Sequence, residues 1–178
     1  AVAKPFGPDA DARYAQEHRI DCSTLEPQVA LPHSPANVKP VSQVGEISLQ
    51  QAFIGSCTNS RTEDLERAAA IVKGRKVAPG TRLLVTPGSR EVMVNATRNG
   101  SLATLIEAGA MVSPPGCGPC GGGGFGVLGP GENGIACTNR NFKGRMGNPN
   151  SFLYLASPWT AAATAVEGRI VDPRRFLS

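Results

Sequence analysis

Three cysteines stand at spacings that suit inorganic chemistry. Cys57 lies in Gly55-Ser56-Cys57-Thr58-Asn59-Ser60, and the other two lie in Gly116-Cys117-Gly118-Pro119-Cys120. Three thiolates are one fewer than the usual four-ligand metal site takes. A cubane iron–sulfur cluster held by only three cysteines keeps one iron without a protein ligand, and that iron is free to act on a substrate as a Lewis acid. The sequence therefore points to a [4Fe-4S] site held by Cys57, Cys117 and Cys120. Other readings stay open. A redox Cys-x-x-Cys pair is expected to open a long helix, but Gly121 to Gly124 follow it, and each glycine costs about 1 kcal/mol in a helix interior. A structural zinc site wants a fourth ligand, which Cys22, Cys137, His18 and His33 offer only singly. The plainest alternative is a set of small buried thiols.

A second group of residues suits carboxylates. Thr138-Asn139-Arg140-Asn141-Phe142-Lys143-Gly144-Arg145 sets two arginines five residues apart around a turn. Guanidinium groups so placed can clamp two carboxylates bidentately; the alternative is two ordinary surface arginines. Gly121, Gly123 and Gly126 spell G-x-G-x-x-G, but they follow a cysteine, not a strand, and no acidic residue lies about 20 positions on in a second strand. Close approach of backbone amides to the sulfides of a cluster is the simpler reading. His18 and His33 read as solvated or structural, and Cys22 and Cys137 as bystanders.

The elements that must position these residues alternate. Residues 1–48 read as an extended, proline-rich segment or a linker, with a short helix over Asp9–Ile20. From residue 49 the pattern is α/β. Ala52–Ile54 is a buried strand, followed by a helix capped by Ser60 with Glu63. Leu65, Ala68, Ala69 and Val72 form its apolar face, and Gly74 stops it. Arg82–Thr86 is a second strand; a helix capped by Ser89 runs to Asn99-Gly100, and a shorter one covers Leu102–Ala108. Ile135–Cys137 and Phe152–Ala156 are strand-like, and Pro158 opens a small-residue helix ended by Gly168. The expectation is an α/β, three-layer domain with a mostly parallel sheet covered by helices on both faces. Ligands in such folds sit at the carboxyl ends of the strands. Cys57 and the Asn139-Arg140 pair each follow a strand, so both belong on that rim.

Composition narrows the classes. The chain has 178 residues, 40% of them hydrophobic, with 21 glycines and 15 prolines, which fits one turn-rich globular domain. No apolar run approaches the roughly 20 residues of a membrane helix. The net charge of +4 suits an anionic ligand, yet the basic residues form no block, so a nucleic-acid surface is not expected. Five cysteines, an odd number with no secretory signal, argue against a disulfide framework and for the reducing cytoplasm. The N-terminus lacks an initiating Met and a signal region, and reads as the start of a processed or excised piece.

The cysteine motifs and the Thr138–Arg145 stretch, in this order and with 60 residues between Cys57 and Cys117, resemble the aconitase superfamily. Leu25–Ala30 and Tyr154–Pro158 share the likeness, so it covers nearly the whole chain. Within the superfamily the likeness points to the large subunits that dehydrate isopropylmalate or homocitrate. The resemblance implies an aconitase-like iron–sulfur domain over residues 49–178 and a reversible hydro-lyase reaction on a hydroxy di- or tricarboxylate. The expected acid is 3-isopropylmalate, in leucine biosynthesis, with homocitrate- or methylmalate-type acids as alternatives. It implies Cys57, Cys117 and Cys120 as cluster ligands, Asn139 beside the cluster, and Arg140 and Arg145 on the substrate carboxylates. It also implies partners: the rest of a large subunit, with the acid–base groups, and a small swivel-domain subunit. The chain alone is then expected to turn over little or no substrate. One departure from the family pattern is Gly121 to Gly124, where a bulkier residue and a histidine are usual. A non-catalytic interaction domain without a cluster is the alternative of another class.

Overall fold

The computed structural model describes residues 6–177. Among them seven strands form one sheet: β1 (Gln28–Ala30), β2 (Val38–Pro40), β3 (Gln51–Gly55), β4 (Arg82–Thr86), β5 (Met111–Val112), β6 (Asn133–Ala136) and β7 (Phe152–Leu155). Their order is β2-β1-β7-β6-β3-β4-β5. The pairs from β7 to β5 are parallel, and β1 and β2 form an antiparallel hairpin on the β7 edge. Four helices accompany the sheet: α1 (Thr62–Val72), α2 (Arg90–Arg98), α3 (Ser101–Ala108) and α4 (Pro158–Glu167). This is the α/β, mostly parallel architecture expected from the sequence.

Alternation along each strand divides the core in two. Ala52, Ile54, Leu83, Val85 and Ile135 face one side, where they pack with Leu65, Ala68 and Val72 of α1, Leu105 of α3 and the alanines of α4. All four helices contribute to this layer. Phe53, Leu84, Ala136 and Leu153 face the other side and meet Cys120, Leu128 and Met146. That second layer is coil around a 3-10 turn, Gly118–Gly121, where the sequence reading expected helices. The reason is local: a segment with Gly121 to Gly124 and Gly126 loses too much backbone freedom to wind into a regular helix.

Other boundaries moved for identifiable reasons. Asp9–Ile20 forms no helix; every residue from Phe6 to Leu25 is exposed, and a short helix that buries no face is not stable alone. The stretch read as an extended segment through residue 48 carries the hairpin β1–β2, with Val29, Ala30 and Val41 buried. Pro40 ends the edge strand, where the lost donor costs no ladder bond. The cap of α1 sits one residue later than expected. Asp64 Oδ2 accepts from the Arg61 N–H at 3.1 Å, while Ser60 Oγ bonds elsewhere. β5, only two residues long, carries too little pattern to read.

At the amino ends of the strands Arg82 makes a paired bond to Glu132, 2.9 Å and 2.8 Å, and a third to Gln51 Oε1 at 3.1 Å. The Arg82 guanidinium holds the Glu132 carboxyl below its ordinary range, with the Gly129 N–H adding to the effect against the cost of burial. A depressed carboxylate contributes stability above its unfolded value and loses it as pH falls through the folded one. Wild type should therefore be more stable than Glu132→Gln near neutrality, and the gap in urea midpoints should close as pH drops below the ordinary glutamate range. A pH-independent gap would disprove the assignment.

Candidate metal centre

The chain runs from β3 to β4 and β5 on one side, through the helical layer, then returns through the coil layer to β6 on the other side of β3. The order thus reverses between β3 and β6, and in open parallel sheets a ligand crevice forms outside the carboxyl ends of strands at such a reversal. Both neighbouring ends carry sequence-predicted residues.

Past the end of β3, Ser56 takes φ +71°. It is the one non-glycine residue with positive φ among those described, and it is buried. Its Oγ accepts from the Thr58 N–H at 3.3 Å. The resulting turn lifts Cys57 into solvent. The left-handed region costs an ordinary residue about 1–2 kcal/mol, and a β-branched one fits it worst. Ser56→Val should lose about 1–2 kcal/mol by urea denaturation, whereas Ser56→Gly should keep wild-type stability. Equal losses from both would show that the turn does not set the cost.

The Cys57 and Cys117 loops stand on the same strand end, that of β4. Ser60 Oγ donates to the Thr86 carbonyl at 2.7 Å, and the Gly88 N–H donates to the Ser60 carbonyl at 3.0 Å. From the other loop, Ser113 Oγ lies 2.6 Å from Thr86 Oγ1, and the Gly116 N–H donates to the Pro87 carbonyl at 3.2 Å. Gly118 has φ +54°, and a Cβ there would lie 2.6 Å from Thr86 Oγ1 and 3.1 Å from the Phe53 ring. Only glycine lets the Cys117 loop settle this low. Cys117 stays exposed, and the 3-10 turn folds Cys120 beneath it, buried, with its N–H on the Cys117 carbonyl at 3.2 Å.

The third segment leaves β6. Asn59 Nδ2 donates to the Cys137 carbonyl at 2.8 Å, tying the Cys57 loop to it. Asn139 and Arg140 are exposed. Asn141 is fully buried and anchors the loop by donating to the Leu31 and Leu153 carbonyls at 2.8 Å and 3.1 Å. Half-buried Arg145 stacks on Phe142, 5.5 Å from the ring centre, and its Nη2 reaches Cys120 Sγ at 3.4 Å. Its Nε is buried without a partner. The sequence reading gave no role to Thr86, Asn59 or Asn141. Asn59 lies inside the first cysteine motif, but only tertiary contact reveals what it holds.

All five cysteines are free thiols. Cys137 is fully buried, and burial first, then the charge of Asp64, pushes its thiol far above the ordinary range; it packs in the helix-side core. Cys22 lies exposed on a short 3-10 turn, His18 is exposed, and His33 tilts against Phe152 at 5.7 Å. Among the described residues no three His, Cys, Asp or Glu side chains lie close enough to hold one metal ion. A cubane does not require that, since each thiolate binds a different iron. Two exposed thiols and one buried one, on loops pinned to a single strand end beside an unpartnered guanidinium N–H, fit such a group. A Cβ at Gly121, Gly123 or Gly124 meets nothing within 4 Å, whereas at Gly122 it would press on the Arg145 carbonyl at 3.1 Å.

A switched, mostly parallel sheet carries thiols and guanidinium groups along its carboxyl rim, the place where open α/β domains bind their ligands. Residues 37–168 match the aconitase family (aconitate hydratase), and the chain belongs to that family. It is 58% identical to the 3-isopropylmalate dehydratase large subunit of Moorella thermoacetica over 95% of this chain and 40% of the relative. It is 55% identical to 3-isopropylmalate dehydratase large subunit 1 of Methanopyrus kandleri, over 98% and 42%. It is 54% identical to the homoaconitase large subunit of Thermus thermophilus, over 95% and 40%. The chain thus spans about two fifths of the length of the curated relatives it matches. No helix of the described residues is long and apolar enough to cross a membrane.

Proposed function

We propose that this chain is the cluster-binding part of a [4Fe-4S] hydro-lyase that isomerises a hydroxy di- or tricarboxylate by removing and re-adding water. The observation that carries the reading is the pinning of the Cys57 and Cys117 loops to the end of β4, with Arg145 against Cys120. Cys57, Cys117 and Cys120 would hold the cluster, with residues 49–178 as its domain. When bound, the cluster supplies a Lewis-acidic iron for the substrate hydroxyl and carboxylate. Arg140, exposed on the rim, and half-buried Arg145 orient the remaining carboxylates by charge-assisted bonds. Asn139 lies beside them as a neutral donor. The burial of Cys120 excludes water from one side of the group.

The names of the relatives favour 3-isopropylmalate, as in leucine biosynthesis, over a homocitrate-type acid. Proton-transfer groups belong to the remainder of a large subunit, and a small swivel-domain subunit completes the site, all in the cytoplasm. The test is anaerobic reconstitution with ferrous iron and sulfide, followed by dehydration assays with both the remainder of the large subunit and the small subunit present. About four irons per chain are expected, with turnover of isopropylmalate exceeding that of homocitrate. No bound iron, or zinc in its place, would overturn the reading.

A further inference from the structure

We infer that Arg145 is a positioning residue for the cluster itself: its guanidinium donates to the sulfur of Cys120 and stabilises the negative charge carried there. This rests on the reading above and adds to it, because carboxylate recognition alone asks nothing of the cysteine. The contact is Nη2 to Sγ at 3.4 Å, within the range for a sulfur acceptor, and Cys120 is buried at 7% exposure. An N–H aimed at a thiolate in a dry site acts at low dielectric, where it is worth more than in water.

Three features hold the guanidinium in place. Its plane stacks on Phe142. The Arg145 N–H donates to the Phe142 carbonyl at 2.9 Å, closing the turn that carries both. The loop is clamped to the coil layer, with the Leu128 N–H on the Met146 carbonyl at 2.8 Å and the Asn148 N–H on the Leu128 carbonyl at 3.0 Å. Gly122 completes the clamp. It lies against the Arg145 carbonyl in the left-handed region, φ +82°, where a side chain would push the loop away. Arg145 is only half-buried, so a guanidinium that gives one donor to sulfur keeps others for a carboxylate, and one cation can serve both together.

Hydrogen bonds to cluster sulfurs raise the reduction potential, because they favour the more negative, reduced state. The experiment compares wild type, Arg145→Met, Arg145→Lys and Arg140→Met in the full chain, reconstituted anaerobically with no hydroxy acid present. Arg145→Met should lower the midpoint potential and release iron to a chelator about tenfold faster, the scale of one charge-assisted bond. A tenfold change in a one-electron couple is about 59 mV. Arg145→Lys should recover part of both effects, and Arg140→Met, which removes a rim charge but no bond to sulfur, should shift both far less than Arg145→Met does. If Arg145 serves the carboxylate alone, Arg145→Met shifts potential and release rate no more than Arg140→Met does, and the inference fails while the cluster reading stands. A wild-type chain that takes up no cluster overturns both.

Discussion

Cys57→Ser, Cys117→Ser and Cys120→Ser should each leave the protein without an intact four-iron cluster, while Cys22→Ser and Cys137→Ala should load as wild type does. This outcome follows from where the five thiols sit. The first three lie on loops that converge at the end of β4, whereas Cys22 sits on an exposed turn and Cys137 is sealed in the helix-side core. A ligand must be a thiolate, and burial pushes the Cys137 thiol the wrong way. Alanine is the fair replacement at Cys137, since a serine hydroxyl buried without a partner costs about 1–3 kcal/mol and would confuse folding with ligation. Serine remains a poor soft-metal ligand in the other three. Loss should appear in iron and sulfide content and in the visible absorbance, with urea midpoints near wild type for Cys57→Ser and Cys117→Ser, whose side chains are exposed. Equal loss of cluster from all five variants would refute the ligand assignment.

What the sequence discloses and what it hides divide along physical lines. The helices α1 to α4 were legible because each has a strong signal of its own: a capping serine at Ser89 and Ser157, a glycine stop at Gly109 and Gly168, and an apolar face at helical spacing. The buried strands β3 and β4 were legible as short apolar runs. The hairpin β1–β2 was not, because prolines spoil its period and its second strand is exposed. The coil layer was not either, since glycine freedom signals an irregular path without saying where it leads. At the site, residue type and spacing singled out the cysteines and arginines. Thr86 escaped notice because its part depends on two loops meeting at its strand end, a property of the fold and not of any one segment. The same holds for the bond from Arg145 to Cys120, which joins positions 25 residues apart.

The stability of the site depends on one ring, and Phe53→Ala should cost about 3–5 kcal/mol in urea denaturation. Phe53 is fully buried and packs with Leu84, Cys120, Leu128, Ala136, Met146 and Leu153 on the coil side of the sheet. Its ring occupies the space that side chains at Gly55 and Gly118 would need, so both cysteine loops close over it. The helix-side core is larger and would remain packed, which makes Leu65→Ala the informative comparison. Leu65 is equally buried in that other core, and its truncation should cost about 2–5 kcal/mol. The two losses are similar in free energy but differ in consequence. Under conditions where both variants are folded, Leu65→Ala should hold its cluster as wild type does. Phe53→Ala should release iron to a chelator faster, because the support beneath Cys120 and the Gly118 turn is gone. Phe53→Leu, which restores most of the volume, should recover much of the stability and slow the release. Identical iron release from the Phe53 and Leu65 variants would mean that the coil layer holds its shape without the ring, and that the loop contacts to Thr86 suffice by themselves.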